Sequence, residues 1–161
     1  MPDKATTAII QKSKIGAELT DAQCAALASL VQLSEYPDGA VVVPEGAVDE
    51  RLRIVLSGAL AVAKPAADGD WVRLNVLTAG DLAGELAFLD SLPRYAALVA
   101  LGPTKLLALE RTKLESLLEK DPLLVYRVMR AIARFAHEVL HRSGWQIAQL
   151  TAYVYKTEAK Y

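Results

Sequence analysis

The sequence predicts an α+β chain that is mainly β: an antiparallel roll or barrel with helices before it and one long helix after it. Three observations carry that prediction. Between Ala40 and Leu109 the apolar residues come in short runs broken by glycine, proline and aspartate. Outside that stretch they recur at steps of three and four, as one face of a helix requires. The starts of the outer segments also carry helix-capping patterns.

Taken in order, residues 5–17 mix apolar residues with lysines and predict a weak helix. Thr20-Asp21-Ala22-Gln23 is a capping box, followed at helical spacing by Cys24, Leu27, Leu30 and Val31. A second helix to about Leu33 is expected, ended by Tyr36-Pro37-Asp38-Gly39. Strands follow at 40–43, 52–56, 59–63, 71–77, 96–101 and 105–109, with turn chemistry at Pro44-Glu45-Gly46, Ser57-Gly58, Ala67-Asp68-Gly69-Asp70, Thr78-Ala79-Gly80 and Gly102-Pro103. Thr112-Lys113-Leu114-Glu115 is a second capping box, opening a short helix with Leu117 and Leu118. Asp121-Pro122 then places a cap and a first-turn proline before a long helix.

The stripe of that helix is Val125, Val128 or Met129, Ile132, Phe135 or Ala136, Val139 or Leu140, Ile147, Leu150 and Val154, with Ser143-Gly144 interrupting it as a kink or a close helix–helix approach. It is longer than one roll can cover. Its second half is expected to pair with the same helix of another copy as a homodimer, the alternative being a fold back onto its own domain after Gly144.

Composition narrows the function. A 161-residue chain with 53% apolar and 23% charged residues suits one globular domain. A formal net charge of -1 supplies no global field for nucleic acid or an anionic membrane. Cys24 is the only cysteine, which rules out an internal disulfide and multi-cysteine metal frameworks. No run is long enough to span a bilayer and Met-Pro-Asp-Lys-Ala is not a signal pattern, so the expected location is the cytoplasm.

The stretch with the most chemistry is 80–101. Gly80-Asp81 is a turn signal, Gly84 permits close backbone approach, and 85–89 reads as a turn or so of helix whose first amides have no internal partner. Such a helix start favours an anion, as does Arg94, a two-pronged donor stiffened by Pro93. Glu85 is placed to remain ionised and accept hydrogen bonds from sugar hydroxyls beside that anion. The plainer reading makes Glu85 a helix-start residue, Arg94 a solvated cation and Leu86, Phe88 and Leu89 core.

Gly-Glu-Leu-Ala at 84–87, five intervening residues, then Pro-Arg-Tyr-Ala and an apolar strand, all preceded by Gly-Asp, resembles the phosphate-binding cassette of the cyclic-nucleotide-binding domain family, which includes bacterial catabolite activator proteins and kinase regulatory subunits. Gly46, Gly58 and Gly80-Asp81 stand where that family has its turn glycines. The resemblance implies a jelly-roll-like double-stranded β-helix, organised as a single domain with N-terminal helices over 1–35, the roll over 36–110, its cassette at 80–98, and C-terminal helices over 111–155. It implies a non-enzymatic sensor of cAMP or cGMP that signals through its last helix to an effector protein, with no further cofactor and no metal.

In that family the arginine meets the cyclic phosphate, which assigns Arg94 with its neighbours Tyr95 and Ala96. The glutamate meets the ribose 2'-hydroxyl, which assigns Glu85, and the cassette backbone at Gly84, Leu86 and Ala87 seats both. The base would meet Val139 and Leu140. Three departures stand out: Tyr95 replaces a small residue after the arginine, Ala83 replaces an aromatic, and Val139 and Leu140 stand where the bacterial activator offers a hydroxyl. Tyr95 either reaches the phosphate with its hydroxyl or fills the site with its ring. In the second case the chain is a degenerate fold acting as a dimeric interaction module. The sequence as given ends too soon after the long helix for a helix-turn-helix, so direct DNA binding is not expected.

One motif points elsewhere. His137-Glu138-Val139-Leu140-His141 matches a zinc-hydrolase pattern, but a catalytic zinc needs three protein ligands. The third histidine position is Ile147, leaving a distant carboxylate such as Glu158 as the only substitute. The hydrolase is therefore the remote alternative.

Overall fold

The computed structural model describes residues 3–158. Helix α1 (Lys4–Lys12) is capped by Asp3, whose carboxylate accepts from the Ala5 amide at 3.1 Å. It stops earlier than the spacing predicts, because the Ser13 amide and hydroxyl both turn back to the Ile10 carbonyl, at 3.0 and 2.7 Å, and Gly16–Glu18 follows as a 3-10 turn. The first capping box forms as expected: Gln23 N donates to Thr20 Oγ1 at 3.3 Å and Thr20 N to Gln23 Oε1 at 3.1 Å, opening α2 (Asp21–Ala28). The extension of this helix to Leu33 is corrected. Gln32–Tyr36 is a strand, β1, whose backbone groups find a full antiparallel ladder on a later strand, Gln32 opposite Ala108 through Tyr36 opposite Thr104.

The remaining strands are β2 (Val41–Val43), β3 (Arg51–Pro65), β4 (Trp71–Thr78), β5 (Leu82–Ala83) and β6 (Ala97–Glu110), with helix α3 (Glu85–Asp90) between the last two. They form one six-stranded antiparallel sheet in the order β1-β6-β3-β4, with β2 on β6 and β5 on β3. Two predicted turns, Ser57-Gly58 and Gly102-Pro103, are bends inside continuous strands rather than strand ends. They face each other across the β3–β6 ladder, where the register slips between Val55 and Ala59. Gly58 has φ +76, and a Cβ there would lie 2.4 Å from the Pro103 carbonyl oxygen. Only glycine allows both the conformation and the approach.

The bend produces the roll. Before it, β3 has β5 as its second neighbour; after it, β4. Strand β6 likewise exchanges β2 for β1. The helices pack into this curved sheet, and Ile10, Leu27, Leu52, Leu82, Phe88, Leu106, Leu124 and Ile132 meet in one buried core.

After β6 comes α4 (Arg111–Glu115), without the capping box its sequence predicts. Arg111 enters the helix first: its amide donates to the Glu50 carbonyl at 3.1 Å and its Nε draws Glu115 to 3.2 Å, away from the position a box requires. The cap of α5 (Pro122–Glu158) is as expected, Leu124 N donating to Asp121 Oδ1 at 2.9 Å. Val128, Ile132 and Phe135 are buried against the roll. The helix runs unbroken through Ser143-Gly144 and does not fold back; Leu140, Ile147, Leu150 and Val154 are exposed. Its first half is clasped by the N-terminal segment: Glu18 takes Arg130 at 3.1 Å and also Arg134, Arg127 donates to Gln23 at 2.8 Å, and Lys14 pairs with Glu138 at 2.9 Å. Among the described residues, no helix is long and apolar enough to cross a membrane.

Candidate functional site

Strand β5 delivers the chain to Gly84, which caps α3 in the left-handed region at φ +80. Its missing side chain matters more than its dihedral angle. A Cβ there would stand 2.4, 2.5 and 2.8 Å from Nη2, Nη1 and Cζ of Arg94. The guanidinium therefore lies directly on the glycine backbone. At its other end α3 is closed by Ser91, a non-glycine residue at φ 59, whose hydroxyl is held by Arg111.

Arg94 is 9% exposed and its main chain is sewn to the β2–β3 connection, Gly46 N donating to Arg94 O at 2.7 Å and Arg94 N to Ala47 O at 2.9 Å. Its Nη2 donates to the main-chain carbonyls of Asp49 at 3.0 Å and Arg51 at 3.4 Å. The Asp49 carboxylate lies 4.0 Å away, while the same oxygen pairs with Arg53 Nη2 at 2.7 Å. Arg94 Nε is buried with no hydrogen-bond partner. Two buried guanidinium charges thus share one carboxylate, and a buried donor is left over. A buried, unsatisfied donor on a cation is costly unless an acceptor, ideally an anion, meets it.

Arg94 and Gly84 line one cavity of about 280 Å3, close to the lower end of small-ligand sites at roughly 300–1,000 Å3, with Asp49 and Arg53 behind its wall. Gly84, Glu85, Leu86, Ala87, Arg94, Tyr95 and Ala96 are all in its wall, so the structure brings the cassette residues singled out in the sequence together. Val139 of α5 is there as well. Leu140 is not: it is 72% exposed and belongs to the outer face of the helix. One residue along the helix places it on a different side, and Ser143, a turn beyond Val139, lines the cavity instead. Tyr95 is 63% exposed and stands at the wall rather than filling the space.

Electrostatics sets the cavity apart from the surface. Burial pulls Arg94 below its ordinary value, with Asp49 opposing and Arg53 acting in the same direction as burial. Burial pushes the Glu85 carboxyl up, while a hydrogen bond to its own backbone and the charge of Arg94 pull it down. Burial and the Glu85 charge raise the Tyr95 phenol, and Lys64 lowers it. A cation and a hydrogen-bonding carboxyl facing one apolar-walled space suit a ligand that is anionic on one side and hydroxylated on the other.

Asn75, Asp90 and Ser143 in the cavity wall, and Asp49 and Arg53 behind it, are polar residues of the site that sequence reasoning missed, along with apolar lining such as Val62, Leu74 and Leu98. Arg53 carried a signal, a charged residue inside the apolar run 52–56. Ser143 carried another, a hydroxyl on an otherwise apolar stripe. Asp49 carried none. The zinc-hydrolase motif is not assembled: His137, Glu138 and His141 lie exposed on α5, Glu138 is taken by Lys14 at 2.9 Å, and among the described residues no three metal-binding side chains converge. The Glu158 side chain lies outside the described residues.

Comparison with known proteins bears on the family and the fold. The family model described as "Cyclic nucleotide-binding domain" matches residues 33–121, more than half of the chain. The CRP-like cAMP-activated global transcriptional regulator of Mycobacterium tuberculosis is 29% identical over 110 residues, covering 68% of this chain and 49% of that protein. The cyclic AMP receptor protein of Thermus thermophilus is 32% identical over 110 residues, covering 68% and 51%. The chain spans about half the length of these relatives. Among solved structures, a cyclic nucleotide-binding domain from Methylobacillus flagellatus superposes with a TM-score of 0.78 at 25% identity, over 89% of this chain and 81% of that one. From the β-roll, the cassette and these matches together, the chain belongs to the cyclic nucleotide-binding domain family.

Proposed function

We propose that this chain is a sensor or regulatory domain that binds a cyclic nucleotide, cAMP or cGMP, and signals through α5 without catalysing a reaction. The observation that carries the reading is Arg94: a buried guanidinium seated on Gly84, with an unpartnered Nε, in the wall of the cavity that Glu85 also lines. Arg94 takes the cyclic phosphate with Tyr95 and Ala96 beside it, and Glu85 accepts from the ribose 2'-hydroxyl. The backbone at Gly84, Leu86 and Ala87 seats both. Val139 packs on the base, and Ser143 adds a hydroxyl to the same wall. The names of the Mycobacterium and Thermus relatives, both tied to cAMP, support the ligand class.

The same reading assigns the exposed seam of α5 to a second copy of the chain. Leu140, Ile147, Leu150 and Val154 are exposed and follow at steps of seven, three and four, the spacing of a two-helix seam. Helix α3 packs on α5, so ligand that draws the cassette inward bears on the dimer helix and an effector protein reads the result. Such coupling requires that nucleotide bind one arrangement better than the other. The test is equilibrium titration with labelled cAMP and cGMP. Binding that is lost in a folded Arg94→Glu variant supports the proposal, and undiminished binding in that variant refutes it.

A further inference from the structure

We infer that Arg53 is a positioning residue of the anion site: it holds the Asp49 carboxylate off Arg94, so that Arg94 keeps its charge for the ligand. The inference rests on the reading of Arg94 as the anion ligand. One carboxylate oxygen, Asp49 Oδ2, decides the geometry, at 2.7 Å from Arg53 Nη2 and 4.0 Å from Arg94 Nη2. What Asp49 gives Arg94 at hydrogen-bond distance is its main-chain carbonyl, at 3.0 Å. A neutral acceptor aims the guanidinium and a carboxylate at contact would neutralise it. Charge-assisted contacts form at about 2.7–2.9 Å and are the strong ones, so an Asp49 carboxylate closed on Arg94 would compete with an anionic ligand for the same donors.

Arg53 is built to prevent that closure. It is 3% exposed, in a strand paired on both sides, opposite Ala108 of β6 and Ala83 of β5, with Leu52, Ile54 and Val55 buried around it. Its Nη1 is 3.4 Å from the Arg51 carbonyl, the same oxygen that accepts from Arg94. The two guanidinium groups therefore share both an acceptor carbonyl and a carboxylate, and the carboxylate is divided unequally in favour of Arg53. A buried charge in the middle of an apolar strand is unfavourable for packing. Its position behind the anion site gives it a use.

The test uses the whole chain with cyclic AMP as the probe and a crystal structure as a second readout. Arg53→Met is expected to bind about tenfold more weakly or worse, and the double variant Arg53→Met/Asp49→Asn to recover to within about threefold of wild type. In crystals of Arg53→Met, Asp49 Oδ2 is expected at hydrogen-bond distance from Arg94. Unchanged affinity in Arg53→Met, no recovery in the double variant, or an Asp49 carboxylate still near 4.0 Å from Arg94 overturns the inference. Should Arg53→Met fail to fold, Arg53→Lys and Arg53→Gln take its place, Lys retaining affinity and Gln losing it. A wild-type protein that binds no cyclic nucleotide refutes the reading of the site. The Asp49–Arg94 distance in the variant then still decides whether Arg53 holds the carboxylate away.

Discussion

Adding one methyl group at Gly84 separates the backbone role of the cassette glycine from its role in the site. In Gly84→Ala the new Cβ meets the Arg94 guanidinium at 2.4–2.8 Å, and the backbone must hold φ +80. The dihedral strain alone is about 1–2 kcal/mol. Relieving the clash means moving Arg94 off the Asp49 and Arg51 carbonyls, and hydrogen bonds to charged groups contribute roughly 1.5–3 kcal/mol each. Gly80→Ala is the matched control, because its φ is +91 but its nearest neighbour is the Lys12 carbonyl oxygen at 3.7 Å, an ordinary contact. Both variants should lose about 1–2 kcal/mol of stability from strain, lowering Tm by about 2–8 °C. Only Gly84→Ala should lose cyclic-nucleotide affinity, by about tenfold or more. Urea unfolding and nucleotide titration on the same preparations measure both quantities. Equal affinity in Gly84→Ala and wild type, or equal loss in Gly80→Ala, would refute the argument that Arg94 must lie on a bare backbone.

Other outcomes follow from the same geometry. Because folding raises the Glu85 carboxyl above its ordinary 4.5, the folded state binds more protons there, and stability falls as pH rises from 4.5 through the raised value. Glu85→Gln should flatten that part of the profile and stabilise the nucleotide-free protein at neutral pH; an unchanged slope in urea unfolding contradicts the assignment. Tyr95→Phe should cost about 0.5–1.5 kcal/mol of nucleotide binding, the contribution of one hydroxyl at the phosphate; unchanged affinity in titration would remove Tyr95 from the ligand contacts. Leu150→Lys, on the exposed half of α5, should leave unfolding cooperative and convert a dimer to a monomer in sedimentation; a wild-type monomer would remove the seam from the account.

How far the sequence could be read depended on whether each pattern was satisfied locally. The capping box of Thr20 and Gln23 involves two residues three apart, and it formed. The identical logic at Thr112 and Glu115 failed because Arg111 and the distant Glu50 pull the chain into the helix earlier. Gly58 and Gly102-Pro103 looked like chain reversals because turn chemistry is the usual use of such residues. Here their opposition across the β3–β6 ladder turns both into bends of long strands, a relation between residues some 45 apart that no window reveals. The helical spacing of Cys24, Leu27, Leu30 and Val31 carries the expected helix on to about Leu33, whereas the strand identity of Gln32–Tyr36 comes from its ladder on β6, which no local spacing reveals.

The cassette was legible because its chemistry is contiguous: Gly84, Glu85, Leu86, Ala87, Arg94, Tyr95 and Ala96 reach one cavity within thirteen residues of chain. The back of the site was not, for Asp49 and Arg53 come from another strand and loop. On α5, the resemblance points to Val139 and Leu140 for the base, and the face toward the cavity carries Val139 and Ser143, a distinction of one residue along the helix that a motif does not resolve.

The most direct test of the central claim is thermal unfolding of the protein with and without cAMP and cGMP, repeated on Arg94→Ala. A ligand at about 100 times its dissociation constant adds roughly 2.7 kcal/mol, which for a chain of this size raises Tm by about 5–11 °C. The account predicts such a rise with at least one of the two nucleotides and its disappearance in the variant. Unchanged melting of the wild-type protein with both at millimolar concentration, or a rise that persists without Arg94, would contradict it.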